Sequence, residues 1–298
     1  MYLMPLEMKA DSYTTLWKQV AEAQQKDLPQ TQIEVLDKII TKATAEKSYG
    51  HLLKAQLARA SAQTMVSPDS MDVFVQQLKD AERKAVEGNP VLAAVYQSVL
   101  GRIYRDCPNM GDNQQEVSNE YYAQSMSNPA LLASQSANGY EPLVIEGTDS
   151  KIFYNDLLHV FGFEARDYQT MHDYYLSHNN RPAACLCALK LLQKQRYAND
   201  TQMRKSKYVQ ALDSLLNTYG DLREAGELAI ERYNFMDEAE DASAEDKMNY
   251  INYALSKWGV WPRMNVLRNA QNQLTLPSFS ATDRKSTRLN SSHQIISY

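Results

Sequence analysis

The chain has 298 residues, with 31 Lys and Arg against 36 Asp and Glu, a formal net charge of −5 at pH 7. Only 10 Gly and 10 Pro are present, too few for an all-β protein built on many tight turns. The acidic balance argues against nucleic-acid binding, which needs a basic surface. No run of eighteen apolar residues occurs, so no transmembrane segment is predicted.

The first ten residues resemble part of an export signal. Residues 1–6 (MYLMPL) are apolar and residues 8–10 (MKA) approximate a cleavage site, although no basic segment precedes them. We interpret 1–10 as either a truncated signal peptide or a disordered N-terminus. The first alternative predicts a mature protein in the cell envelope or periplasm, whereas a free-standing chain without a signal would be cytoplasmic.

Two amphipathic helices are predicted next, over residues 12–26 and 30–45, because apolar residues recur with the helical period in both. The turn between them contains Asp27. Neither helix could bury its apolar face alone, so we predict that they fold back on each other as a hairpin. We expect the ring of Trp17 to be buried in that hairpin, and the hairpin to cap one end of the stack of helices.

The same period and the same start signals predict helices through most of the remaining chain. They cover residues 48–65, 71–86, 90–105, 121–127, 129–134, 151 to 159 or 161, 166–178, 183–196, 205–219, 222–237, 244–258 and 263–274. Residues 136–150 are the least helical and are predicted to be an irregular connector, either a short strand or a structured loop. The connector separates a first helical lobe (11–135) from a second (151–276), and an extended tail (277–298) follows.

Three predicted turns share a short pattern. Gly220 and Asp221 resemble the turn of a tetratricopeptide repeat (TPR), and Asp167 and Asp27 stand in the similar triplets RDY and KDL. The aspartates are 140 and then 54 residues apart, which are not multiples of the strict 34-residue repeat. We therefore predict an all-α fold, an α-solenoid of stacked antiparallel hairpins with degenerate TPR-like repeats.

No sequence motif indicates catalysis or a cofactor, since H-E-x-x-H, the P-loop, G-x-S-x-G and G-x-G-x-x-G do not occur. The three cysteines are an odd number, and Cys185 and Cys187 lie in a helical run, so buried small residues are favoured over a disulfide or metal pair. His172 and His178 do not share a helix face, and the acidic segment 237–246 lacks the ligand spacing of an EF-hand. We predict a non-enzyme with no cofactor and no metal site.

One aromatic cluster, WGVWP at residues 258–262, lies between two predicted helices. Tryptophan and proline there are compatible with a packed turn at a helix end. The alternative is a domain-docking surface formed by Trp258, Trp261 and Pro262, because large aromatic side chains are enriched at protein interfaces.

Seven short segments together resemble the N-terminal helical region of bacterial alpha-2-macroglobulin family proteins. They are LWKQV (16–20), DLP (27–29), IEVLDKI (33–39), LLKAQL (52–57), YEPLV (140–144), DSKIFYNDLL (149–158) and NQLTLPSF (272–279). The resemblance implies a longer chain that continues into β-sandwich domains and belongs to a protease-trapping family. The bait region and the thioester C-G-E-Q motif of that family are absent from this sequence.

The resemblance implies a non-catalytic scaffold and protein-docking module. Its partners would be the downstream macroglobulin-like domains, and envelope proteins are a further possibility. The segment from about 283 (DRKSTRLNSSH) resembles translated sequencing-adapter read-through and is excluded from the fold prediction. One alternative is a free-standing TPR-like adaptor. Another is an α-helical carbohydrate-active enzyme, which would need two converging carboxylates.

Overall fold

A computed structural model of the chain describes residues 12–67, 70–198, 205–236 and 242–276. The α-helices in these residues are α1 (Tyr13–Gln25), α2 (Pro29–Glu46), α3 (Tyr49–Val66), α4 (Ser70–Gly88), α5 (Pro90–Asp106), α6 (Gln114–Ser125), α7 (Pro129–Ala133), α8 (Leu157–Ala165), α9 (Tyr168–Ser177), α10 (Arg181–Ala198), α11 (Lys205–Tyr219), α12 (Gly226–Asn234), α13 (Ala244–Trp258) and α14 (Asn265–Thr275). In the same described residues, four 3-10 helices cover Ala137–Tyr140, Ser150–Phe153, Arg223–Ala225 and Pro262–Met264. The predicted all-α class is confirmed. The segments predicted as 1–10 and 277–298, with the adapter-like part, lie outside the described residues.

Local signals explain where several helices begin. Ser12 accepts a hydrogen bond from the backbone N–H of Thr15 at the start of α1. At the start of α5, Asn89 accepts from the N–H of Leu92, and Pro90 occupies the first turn, where its missing N–H is not needed. These short polar and proline signals are visible in the sequence, which is why most helix boundaries were predictable.

The helices stack largely in chain order. Each helix from α1 to α5 packs against the helix that follows it in the chain, so the first run ends at α6. Successive helices from α7 to α14 also pack against one another. The helix α6 also contacts α8, which joins the two runs. The result is a repeat-like, all-helical array in which each hairpin depends on its neighbours for burial.

The main apolar core draws on the helices from α3 to α14 and continues across the connector, where Ala137 and Tyr140 are buried in it. A separate, smaller core lies between α1, α2 and α3. Its buried residues are Leu16, Val20, Val35, Leu36, Ile39 and Ala55. The division into lobes 11–135 and 151–276 stays a prediction, since the core is continuous through the segment between them.

Trp17 is half-buried and packs against the smaller core rather than sealing it. Its indole N–H donates to Nδ1 of His51 over 2.9 Å, and Nζ of Lys54 lies 5.0 Å from the ring centroid. The expected full burial of the ring is therefore wrong. Because one edge faces water, the indole links α1 to α3 through a polar contact as well as through packing.

The helix predicted from residue 151 to 159 or 161 is interrupted. A 3-10 helix ends at Phe153, and Tyr154 and Asn155 both have left-handed backbones, with φ of 57° and 50°. Asp156 then caps a new helix, α8. Two successive left-handed residues cannot continue a right-handed helix. The prediction missed this break because apolar residues continue on both sides of it.

The three turns with a shared sequence pattern differ in backbone geometry. Asp27 itself is left-handed (φ 52°), whereas in the second turn the left-handed residue is Arg166 (φ 54°) and Asp167 caps α9 by accepting from the N–H of Thr170. In the third turn neither Gly220 nor Asp221 is left-handed. All three turns join helices, but their similar sequences adopt different backbone conformations.

Gly50 allows α3 to approach the connector closely. A Cβ at this position would lie 2.2 Å from the carbonyl oxygen of Glu141 and 2.4 Å from the backbone of Tyr140. Backbone atoms cannot move aside as a side-chain tip can, so a larger residue must displace the connector.

We expect Gly50→Ala to destabilise the protein by about 1–3 kcal/mol, the usual cost of overpacking. Urea unfolding followed by circular dichroism measures the change. The matched control is Gly88→Ala in α4, since a Cβ there meets no atom within 4 Å. Equal midpoints for the two variants would contradict the close approach of α3 to the connector.

His51 provides a pH-dependent contribution to stability. The ring of Tyr13 stacks on it at 3.7 Å, and its Nδ1 accepts the hydrogen bond from Trp17. Burial, and then the charge of Lys54, lower the pKa of His51, while Glu46 acts in the opposite direction. The neutral imidazole is therefore the form that the fold favours.

We expect the free energy of unfolding to fall as the pH is lowered below about 6.5, the ordinary pKa of histidine. In that window the unfolded chain binds more protons than the folded chain, so the stability that is complete above about 6.5 is lost on acidification. Urea titrations between about pH 8 and 5 test this. His51→Gln should reduce the loss and Lys54→Gln should reduce it in part. An unchanged pH dependence in His51→Gln would contradict it.

Candidate functional site, an apolar cleft beside the connector

A cleft of about 630 Å³ lies between α5, α8 and the connector, with part of α3 at its edge. The face of α5 that lines it carries Val95, Val99 and Ile103, spaced by four residues and therefore aligned on one side of the helix. The opposite wall includes Val160 and Phe163 of α8. The cleft is thus mainly aliphatic and aromatic inside.

The connector forms the roof of the cleft, with Leu143 and Val144 among the lining residues. It is a structured loop, and the predicted alternative of a short strand is wrong for the described residues, which hold only one isolated bridge between Ser136 and Asp156. The bridge is held by two backbone hydrogen bonds. The N–H of Ala137 donates to the carbonyl of Asn155 at 2.8 Å, and the N–H of Leu157 donates to that of Gln135 at 2.9 Å. The roof is therefore fixed to the start of α8.

Asp156 is a buried carboxylate, 2% exposed, that organises this end of the cleft. It accepts a hydrogen bond from the hydroxyl of Tyr175 at 2.8 Å and another from the backbone N–H of His159 at 2.9 Å. Its Oδ1 also lies 3.2 Å from Nδ1 of His159, a residue that lines the cleft. Burial and then the charge of Asp156 raise the pKa of Tyr175, so its hydroxyl stays a donor.

The mouth of the cleft carries a charge network centred on Arg105. Its guanidinium donates to both oxygens of Asp106, at 2.8 and 3.3 Å, and to Oε1 of Glu164 at 2.6 Å. The hydrogen bond to Arg105 holds the pKa of Asp106 below its usual range. Tyr122 also donates to Oε1 of Glu164, at 3.1 Å. Both carboxylates are therefore already engaged.

Arg102 stands at the same mouth with weaker contacts. Its nitrogens lie 3.4 Å from Asp106 and 3.9 Å from Glu164, and its side chain is 65% exposed. These separations exceed those of ordinary N–H to oxygen hydrogen bonds, about 2.7–3.2 Å. Arg105 therefore takes the better geometry on both acids, and Arg102, the more exposed of the two arginines, has the weaker contacts.

Two of the three candidate docking residues lie in the core, as the alternative of a packed turn implies. Trp258 and Trp261 are 2% and 3% exposed, so their rings belong to the core, and of the three only Pro262 is exposed. Trp258 donates to the carbonyl of Gly220 at 3.0 Å, and Trp261 donates to Glu227 at 2.7 Å. The docking surface built on the indoles is wrong, because both N–H groups and both rings are satisfied inside the protein.

The residues predicted as structural have identifiable roles. Asp221 makes a two-point ion pair with Arg181, at 2.6 and 2.8 Å, which joins the turn after α11 to the start of α10. A Cβ on Gly220 would lie 2.3 Å from the carbonyl oxygen of Leu216, so this turn requires glycine. Trp17, Asp27 and Asp167 lie at the helix contacts and turns described above.

The sequence did not predict the cleft or its mouth. Within the described residues, no three His, Cys, Asp or Glu side chains are grouped so that they could hold a metal ion. Cys185 and Cys187 are both buried, as expected, and burial raises the pKa of Cys185 to about 12. None of the described helices is both long and apolar enough to span a bilayer.

Comparisons of the chain with protein-family models, with curated proteins and with solved structures found no match.

We expect Asp156→Ala to destabilise the protein by roughly 3 kcal/mol, because it removes a helix cap and leaves the buried hydroxyl of Tyr175 without its acceptor. Urea unfolding measures the loss. The matched control is Asp167→Ala, which removes the cap of α9 alone and should cost only about 1 kcal/mol. A loss no larger than that of the control would show that Asp156 acts as a cap and nothing more.

Proposed function

We propose that the chain is a non-catalytic helical scaffold that docks other proteins. We assign it to the N-terminal region of an envelope-located alpha-2-macroglobulin family protein. The order of packing carries the scaffold proposal, because hairpins that stack along the chain expose an extended surface suited to protein partners. The seven segments that resemble the family support the assignment.

The last helix pair is the proposed contact with the following domains. Val260 is 79% exposed, Leu276 68% and Val266 49%, all within or beside α13 and α14. The resemblance places the first β-sandwich domain after this pair. Apolar side chains that meet water here would be covered by that domain, which supports a domain contact through these residues in place of the indoles.

The flanking genomic sequence tests the family assignment. A complete signal peptide upstream and a β-rich continuation downstream support it, whereas a natural stop codon soon after Ala281 would contradict it and favour the free-standing cytoplasmic adaptor. The genomic sequence needs no assumption about the binding surface. The family assignment can therefore be tested separately from the proposed domain contact of the last helix pair.

The contact is tested by calorimetry between this chain and the separately expressed downstream domain. We expect Val260→Asp combined with Leu276→Asp to weaken binding at least about tenfold, or about 1.4 kcal/mol, since a charge would be buried against an apolar surface. The control is Val73→Asp, a residue of α4 that is 60% exposed and lies outside the last helix pair. If the double variant and the Val73→Asp control bind the downstream domain equally well, the last helix pair is not part of the interface.

A further inference from the structure

The cleft between α5, α8 and the connector has the properties of a small-molecule site. Its volume of about 630 Å³ lies within the range of about 300–1,000 Å³ usual for ligand pockets, which combine apolar walls with a few polar groups. Helix stacking does not require a void of this size, since well-packed interiors leave few spaces larger than a water molecule. The scaffold proposal does not use it.

The inner walls favour a ligand without polar groups along its length. Residues such as Val99, Ile103 and Phe163 come from helices, whose backbone N–H and C=O groups are used within the helix. In the roof, the hydroxyl of Ser150 is engaged by the backbone N–H of Gly147 at 2.8 Å. Along the helical walls, an extended peptide would bury unpaired amides, whereas an alkyl chain would not.

The charges at the mouth favour an anionic head group. Arg105 donates to Asp106 and Glu164, and the third lining carboxylate, Asp149, accepts from Arg263 at 3.1 Å. Arg102 keeps only contacts of 3.4 and 3.9 Å. A ligand carboxylate could pair with the exposed guanidinium of Arg102 in the two-point geometry that guanidinium groups favour.

We propose that the cleft binds a free long-chain carboxylate of the fatty-acid class. The alkyl chain lies along the α5 stripe of Val95, Val99 and Ile103, under the connector, and the carboxylate pairs with Arg102 at the mouth. The inference does not depend on the proposed scaffold function.

Isothermal titration calorimetry of the whole chain with decanoate tests the proposal, at concentrations below micelle formation. We expect one decanoate per chain, at least fivefold weaker binding of decyltrimethylammonium, and no measurable binding of acetate. The first comparison isolates the head group and the second isolates the tail.

Variants locate the site. Val99→Trp fills the cleft and should weaken decanoate at least tenfold, whereas Val73→Trp on α4 adds the same ring at an exposed position outside the cleft and should have no effect. Arg102→Gln should remove the preference for decanoate over the cationic analogue, whereas Arg83→Gln, an exposed arginine of α4 paired with Asp80 at 2.8 Å, should retain it. If Val99→Trp fails to fold by circular dichroism, Val144→Trp fills the cleft from the roof.

Four results of the binding measurements would overturn the proposal. They are the lack of any decanoate binding, affinity unchanged by the cleft-filling variants, equal affinity for the anionic and cationic analogues in the unmodified protein, and tighter binding of a short apolar peptide with a free C-terminal carboxylate. Co-sedimentation with phosphatidylglycerol vesicles that decanoate does not displace would likewise overturn it, because the membrane surface would then be the ligand.

Discussion

The cleft depends on one buried carboxylate, that of Asp156. A charge that is 2% exposed is tolerable only if hydrogen bonds replace its water, and here Tyr175 and the backbone of His159 do so. The same residue starts α8, so it fixes the direction of one wall. Its two neighbours, Asn155 and Leu157, make the backbone hydrogen bonds of the bridge that holds the roof. Wall and roof are therefore fixed at three consecutive residues.

The sequence predicted most helix boundaries because the signals that set them are local. Asn89 with Pro90, and Asn128 with Pro129, mark starts that hold in any tertiary context. The break before α8 is different. Asn155 is held left-handed by non-local contacts, since its amide donates to Asn138 and its carbonyl accepts from Ala137. The Asn-Asp pair inside an apolar run was the one available signal, as Asp is a favoured cap.

The cleft could not be predicted because periodicity shows which helix face is apolar but not what that face meets. The stripe through Val95, Val99 and Ile103 has the same pattern whether another helix or an open space lies opposite. The same limit explains the error at Trp258 and Trp261. Their N–H groups find acceptors 38 and 34 residues earlier in the chain, and no local pattern reveals such partners.

One arginine joins the last helix pair to the cleft. Arg263, in the turn between α13 and α14, donates to Glu227 and to Asp149, and Asp149 belongs to the cleft lining. Glu227 is also the acceptor of the Trp261 indole, so the turn and the roof of the cleft are held by the same ion pairs. A ligand that moves the connector at Asp149 would change its contact with Arg263. The proposed domain contact involves the same turn, so any coupling between the two proposed sites must be reciprocal.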